Sequence, residues 1–108
     1  MSGYLTVLTT LESEQAALRL ARELVTRGLV ACVNVVPGVR SVFLWKGELE
    51  EATEHLLLMK TRADRYDALA AAIDEIHPYD VPELIALSVE RGAAGYFAWV
   101  DDCLDRSR

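Results

Sequence analysis

The chain has 108 residues, enough for one domain with a single core, and we expect residues 1–108 to form that domain. Its 17 acidic and 11 basic residues give a net charge of −6, which argues against a nucleic-acid or membrane partner because both need clustered Lys and Arg. The hydrophobic fraction of 52% is high for a small domain and indicates a further buried surface, most simply a subunit interface.

The first elements in the chain are a strand and a helix. Tyr4 to Thr9 is short, apolar and β-branched, which predicts a strand. From Ser13 the apolar period becomes helical, and Gly28 can supply the left-handed residue that ends the helix. The residues predicted to form the buried stripe of this helix are Ala17, Leu20, Ala21, Leu24 and Val25.

A long hairpin follows. Val30 to Trp45 predicts a strand with a bulge at Pro37-Gly38, since proline cannot donate to the ladder. Lys46-Gly47 predicts a tight turn, and Leu49 to Thr61 a second long strand. Apolar side chains on both faces of this strand indicate that a partner chain covers the hairpin, and we expect Leu57→Asp to abolish that contact. One face carries His55, Leu57 and Met59, and the other carries Leu56, Leu58 and Lys60.

The rest of the chain completes an α+β pattern. Ala63 to Ile76 predicts a helix, Leu84 to Val89 a fourth strand, and Tyr96 to Leu104 a terminal helix. The order βαββαβ plus a C-terminal helix is the ferredoxin-like split βαβ arrangement, an antiparallel sheet in strand order 4-1-3-2. Right-handed crossovers place both main helices on one face of that sheet.

The segment from Ile76 to Glu83 holds the most concentrated chemistry. Pro78 and Pro82 stiffen it, and Pro78 ends the preceding helix near Ile76 and leaves His77 extended. Two interpretations stay open: a binding site on rigid backbone, or a proline-stiffened loop with a helix-capping histidine. The side chains of ligand type in this segment are those of His77, Tyr79, Asp80 and Glu83.

Several segments in order along the chain resemble the CutA family of divalent-cation tolerance proteins. They are Ala31–Gly38, Trp45–Glu50, Lys60–Arg62, His77–Tyr79 and Pro82–Leu84, within a similarity from about Tyr4 to Leu104. The resemblance implies a ferredoxin-like protomer in a tight homotrimer, similar in architecture to PII signalling proteins. It also implies binding of copper or another divalent cation, a role in metal tolerance, and no established reaction.

The resemblance points to His77 and Cys32 as metal ligands. Imidazole and thiolate are plausible ligands for Cu or Zn. Some members have a cysteine near the end of the first strand, where this chain has Thr9 and Thr10, or a second histidine at the position of Ile76. Because the proline loop and the hairpin lie on opposite sides of the predicted sheet, we expect these ligands to meet across a subunit boundary.

A second hypothesis is a PII-like sensor that binds an anionic metabolite in clefts between subunits. Lys60 and Arg62 would receive the anion, although both also fit a solvated strand end. The residues expected to make polar contacts to this ligand are Asn34, Tyr79 and Glu83.

An enzyme with Cys32 as nucleophile and His77 as base is disfavoured, because the sequence offers no orienting third group and no cofactor loop. Cys32 and Cys103 form no CxxC or zinc spacing, so we expect reduced thiols that pack as small hydrophobes. No signal peptide or membrane-spanning run is recognisable, and we expect a cytoplasmic protein.

Overall fold

The computed structural model describes residues 2–106 and confirms the predicted order of elements. A short 3₁₀ turn at Ala63–Arg65 opens the second helix, which was predicted as continuous; such turns are frequent at helix N-termini. The elements are β1 Tyr4–Leu11, α1 Glu14–Thr26, β2 Cys32–Trp45, β3 Glu48–Arg62, α2 Tyr66–Ile76, β4 Ile85–Ser88 and α3 Ala94–Asp105. No helix among the described residues is both long and apolar enough to cross a bilayer.

All strand pairs are antiparallel, and their order across the sheet is β2-β3-β1-β4, as the ferredoxin-like pattern predicts. The bulge predicted at Pro37-Gly38 is present as a register shift between Val36 and Val39. Lys46 and Gly47 both have positive φ, 52° and 82°, which is the backbone conformation of a type I′ hairpin turn. Local turn chemistry therefore fixes the register of the long hairpin.

Helix α1 begins and ends where the sequence indicates. The Ser13 side chain accepts a hydrogen bond from the Ala16 N–H at 3.2 Å, and Gly28 takes the left-handed conformation with φ 72°. The predicted stripe is buried except for Val25, which is 39% exposed. Val25 lies about 80° around the helix from Ala17 at 3.6 residues per turn, and so falls at the margin of the stripe.

The main core lies between one face of the sheet and helices α1 and α2. Leu57 is fully buried on this face, so the expectation that Leu57 contributes to a subunit contact was wrong. Side chains alternate along a strand, and it is Leu58 that points to the other side. The largest fully buried side chains of this core are Val7, Leu11, Leu24, Val30, Leu57, Met59, Leu69 and Ile73.

The other side of the sheet is mostly bare, and we call it the open face. Helix α3 covers one end of it, where Val100 and Leu104 pack with Ala31 and Tyr4. Beyond α3 the open face is apolar and partly exposed. Its apolar residues, identified from the strand register, are Leu8, Val36, Leu56, Leu58, Ile85 and Leu87, of which Val36, Ile85 and Leu87 are 38%, 48% and 50% exposed.

The end of the β2–β3 hairpin extends past the rest of the sheet. Residues 39–45 pair only with residues 48–54, because β1 ends at Leu11 opposite His55. We call this part the hairpin arm. Its large apolar side chains are exposed in the isolated chain: Val42, Phe43, Leu44, Trp45 and Leu49 at 62%, 42%, 71%, 50% and 71%.

Two neighbouring positions on α1 provide a test of the core. Leu24 is fully buried, whereas Val25 is 39% exposed. Leu24→Ala should lower the free energy of unfolding by about 2–5 kcal/mol, because it removes apolar burial and leaves a cavity. Val25→Ala should cost less than about 1 kcal/mol. Chemical denaturation measures both, and equal losses would show that α1 packs with a different face.

Candidate functional site

The proline loop, residues 76–83, lies across the carboxyl end of β1. The His77 N–H donates the last helical hydrogen bond to the Ile73 carbonyl at 2.9 Å. His77 itself is extended, with φ −72° and ψ 137°, as the following proline predicts. The loop therefore starts with a sharp exit from α2 and places the imidazole beside Thr10 of β1.

The His77 imidazole is buried and both of its nitrogens are engaged within the chain. Nδ1 accepts a hydrogen bond from the Tyr79 N–H at 3.1 Å, and Nε2 lies 3.0 Å from the Thr10 carbonyl oxygen. Because Nδ1 accepts, the proton of the neutral ring is on Nε2 and is donated to Thr10. Burial lowers the pKa of His77, while the Thr10 carbonyl and the Glu54 carboxylate raise it by less.

Tyr79 connects the loop to a buried carboxylate. Its hydroxyl donates to Glu54 Oε2 at 2.7 Å, and Glu54 is only 6% exposed. Burial, and then the bond to Glu54, raise the pKa of Tyr79 well above its usual 10.0, so the phenol stays a donor. The rings of His77 and Tyr79 meet edge to face with centroids 4.9 Å apart. Thr10, His77, Tyr79 and Glu54 thus form one network, which we call the loop network.

Sequence reasoning missed Glu54. It lies 25 residues before Tyr79 in the chain, and the pairing depends on how the loop folds over β1 and β3. The one signal in the sequence is the spacing: Glu54, Leu56 and Leu58 are two residues apart, so the carboxylate lies on the same face of β3 as two apolar side chains. A carboxylate in that phase must find a donor when it is buried.

The other predicted site residues lie on the open face, with one exception. Cys32 is directly opposite Lys60 in the β2–β3 pairing, and the Lys60 ammonium donates a hydrogen bond to the Asn34 side-chain oxygen. The phenol of Tyr96 lies beside the Cys32 thiol, and burial together with that thiol raises the pKa of Tyr96. Glu83 is the exception: it is exposed and has no hydrogen-bond or ion-pair partner within residues 2–106.

The chain therefore holds the predicted site residues in two separate groups. His77 and Tyr79 lie at the level of Thr10 on β1, whereas Cys32 and Lys60 lie at the level of Thr6. Four residues of strand span about 13 Å, so Cys32 and His77 do not meet within one chain. Their meeting across a subunit boundary stays a prediction. Within residues 2–106, no three His, Cys, Asp or Glu side chains are grouped so as to hold a metal ion.

Arg62 and Lys60 differ in their availability to an anion. Arg62 is bound by three carboxylates: Asp64 at 2.9 Å, Asp101 at 3.1 Å and Asp105 at 2.7 Å. These ion pairs raise its pKa and tie the end of β3 to α3, so the guanidinium has no free edge for a ligand. Lys60 has no carboxylate partner among the described residues and remains the cation of the open face.

The second histidine, His55, has different surroundings. Its side chain is 15% exposed, and Nε2 lies 4.0 Å from Glu14 Oε2 in the first turn of α1. Nδ1 is buried and makes no hydrogen bond within residues 2–106. His55 therefore has no hydrogen bond or ion pair with the loop network within residues 2–106, and substitutions of His55 can serve as controls for substitutions of His77.

The sequence is similar to that of known proteins along most of its length. A sequence profile of the family described as CutA1 divalent ion tolerance protein matches residues 5–103. The chain is 46% identical over 93 residues to "Protein CutA homolog" of Xenopus laevis, covering 86% of this chain and 62% of that protein. It is 43% identical over 94 residues to "Divalent-cation tolerance protein CutA" of Thermus thermophilus, covering 87% and 91%.

Solved structures agree with the fold. The structure of the divalent cation tolerance protein from Thermus thermophilus has a TM-score of 0.87 at 41% identity, covering 90% of this chain and 94% of that one. CutA1 from Oryza sativa has a TM-score of 0.92 at 38% identity, covering 96% and 95%. The chain spans only 53% of a chloroplastic CutA sequence from rice, so some relatives carry additional sequence.

The loop network predicts a pH dependence of stability. The pKa of His77 is lowered in the folded state, so the unfolded chain takes up the proton first and the free energy of unfolding falls as pH drops below about 6.5. Chemical denaturation on both sides of this pH should show a smaller loss in His77→Gln, whose amide can still donate to Thr10. Equal pH dependence in His77→Gln and the wild type would contradict a buried neutral His77.

Proposed function

Because the chain belongs to the CutA1 divalent ion tolerance family, we propose that it binds divalent cations, copper among them, as a homotrimer. We propose no catalytic reaction for it, because the family is described by divalent ion tolerance and the resemblance implies no established reaction. A cytoplasmic location is part of the proposal and rests on Cys32, whose thiol is in no disulfide within residues 2–106.

The observation that carries the proposed assembly is the apolar open face together with the hairpin arm. Leu87, Ile85 and Trp45 are about half exposed in the single chain, at 50%, 48% and 50%. Monomeric soluble proteins rarely expose large contiguous apolar patches. Covering apolar surface is favourable by about 25 cal/mol per Å², so other copies of the chain are the natural cover. The number three comes from the family resemblance.

Metal binding in this proposal belongs to the assembly and not to the single chain. The residues of one chain do not fit a metal ion by themselves, since both His77 nitrogens are hydrogen-bonded. A metal could replace the Tyr79 N–H at Nδ1, which leaves the bond from Nε2 to Thr10 to orient the ring. Cys32 presents a partly buried thiol, in no disulfide, on the open face beside Tyr96 of α3. We therefore keep His77 and Cys32 as the proposed ligands.

A second candidate function is the binding of a small anionic ligand between subunits. Lys60 favours it, because its ammonium has only the Asn34 oxygen as partner within the described residues, on an otherwise apolar face. Asn34 would contribute a polar contact, and Tyr79 and Glu83 would contribute only if a neighbouring copy brings the proline loop close. Arg62 takes no part, since its carboxylate partners occupy it.

Substitutions at two adjacent positions of β3 test the assembly. Leu58→Asp puts a charge on the open face and should lower the mass of the particle toward the 12.0 kDa protomer, as measured by size-exclusion chromatography with light scattering. Leu57→Asp buries the charge in the protomer core and should prevent folding, seen as loss of the circular dichroism signal. A Leu58→Asp protein with the wild-type mass would place the interface elsewhere.

Calorimetric titration with Cu(II), Zn(II) and inorganic phosphate separates the two functions. His77→Ala and Cys32→Ser should each weaken Cu(II) binding at least about tenfold, and His55→Ala should not. Affinity should also fall at acid pH, since imidazole must be neutral to bind a metal. The fall should begin below the ordinary imidazole value of about 6.5, because burial lowers the pKa of His77. Phosphate binding that Lys60→Ala removes would instead support the anion function. Unchanged Cu(II) affinity in both ligand variants would refute the proposed ligands.

A further inference from the structure

The outer surface of α1 carries an unpaired positive stripe. Gln15, Arg19, Arg22 and Thr26 follow one another at spacings of four, three and four residues, which places them along one face of the helix. Arg19 and Arg22 are exposed, and neither has a hydrogen-bond or ion-pair partner within residues 2–106.

A groove of about 250 Å³ runs beside this stripe, between α1 and the start of the proline loop. Its apolar lining comes from Ala16, Leu20, Ile76 and Pro78, and Arg19 stands on its rim between the groove and the stripe. The volume lies below the range of about 300–1,000 Å³ usual for drug-sized ligands. The groove is therefore of a size that suits one apolar side chain.

The negative charges at the rim are partly neutralised, because one arginine is shared between two carboxylates. Arg27 bonds Glu23 at 2.8 Å and Glu75 at 3.3 Å, so it ties α1 to α2 and satisfies both carboxylates. Arg19 and Arg22 are the cations of this surface that have no carboxylate partner within residues 2–106. Arg19, Arg22 and Arg27 together outweigh Glu23 and Glu75 by one positive charge, so an incoming carboxylate is attracted to the stripe overall.

The location also matters. Helices α1 and α2 pack on the face of the sheet opposite to the open face. Copies of the chain that cover the open face leave α1 facing outward. The stripe and the groove therefore remain accessible in an assembly built on the open face.

From these observations we propose that α1 and the proline loop form a docking site for an acidic segment of another protein. One apolar side chain of that segment enters the groove against Leu20 and Pro78, and carboxylates on either side pair with Arg19 and Arg22. A buried anchor surrounded by exposed charge pairs is the usual arrangement of affinity and specificity in protein interfaces. Because Pro78 forms a wall of the groove, the partner would contact the residue next to His77.

The test uses a capped peptide with one Trp flanked on both sides by Asp residues, and a matched peptide in which Lys replaces every Asp. NMR titration of the ¹⁵N-labelled protein should give saturable shifts at Arg19, Leu20 and Ile76 with the acidic peptide only. Added salt should weaken the binding. Equal shifts with the Lys peptide, or no saturable shifts at millimolar acidic peptide, would overturn the proposal.

Substitutions then separate the docking site from general charge. Arg19→Ala with Arg22→Ala should weaken binding by about tenfold, the sum expected for two exposed ion pairs. The control, Arg91→Ala with Arg106→Ala, removes the same charge elsewhere and should change binding by less than about twofold. Ala16→Leu, which fills the groove and keeps every charge, should also weaken binding. If the control pair loses as much affinity as Arg19→Ala with Arg22→Ala, and Ala16→Leu loses none, then net charge alone explains the binding and the docking site is wrong.

Discussion

Strand β3 has apolar side chains on both faces, and this constraint organises the rest of the molecule. Leu57 and Met59 pack against α1 and α2 and are fully buried. Leu56 and Leu58 point the other way, where α3 reaches only one end of the sheet. One face of the sheet is thus covered by helices, and the apolar residues of the other face need a further layer to bury them. The proposed homotrimer supplies that layer, and the exposed hairpin arm extends the surface available for it.

The proline loop adds a second, rigid feature to this framework. Its histidine is neutral, buried and held at both nitrogens, and its tyrosine is fixed to a buried carboxylate. Such a network keeps the loop in place on its own, so binding of a metal or partner there would lose little entropy. The same network sets a cost for metal binding, because one of the two bonds to His77 must be given up. The contacts within one chain thus account for the stiffness of the loop, but they do not form a metal centre within residues 2–106.

Features set by neighbouring residues were predictable from the sequence, whereas contacts between residues far apart in the chain were not. Pro78 ends α2 and Lys46-Gly47 turns the hairpin because φ preferences act within a few residues, so these features were predictable. The partner of Tyr79 was not, since Glu54 becomes its neighbour only through the packing of the loop on β1 and β3. The ion pairs of Arg62 were equally hard to predict, because two of its three carboxylate partners lie on α3, far along the chain. Arg62 was therefore expected to bind an anion.

The central claim, that the open face is a covered surface in solution, is tested most directly by the mass of the wild-type protein. Sedimentation equilibrium over a dilution series into the micromolar range should give three times 12.0 kDa, about 36 kDa. Burial of apolar surface of this kind should hold the particle together through most of the series. A particle of 12.0 kDa at micromolar concentration would contradict the account, because the open face and the hairpin arm would then be stable in water.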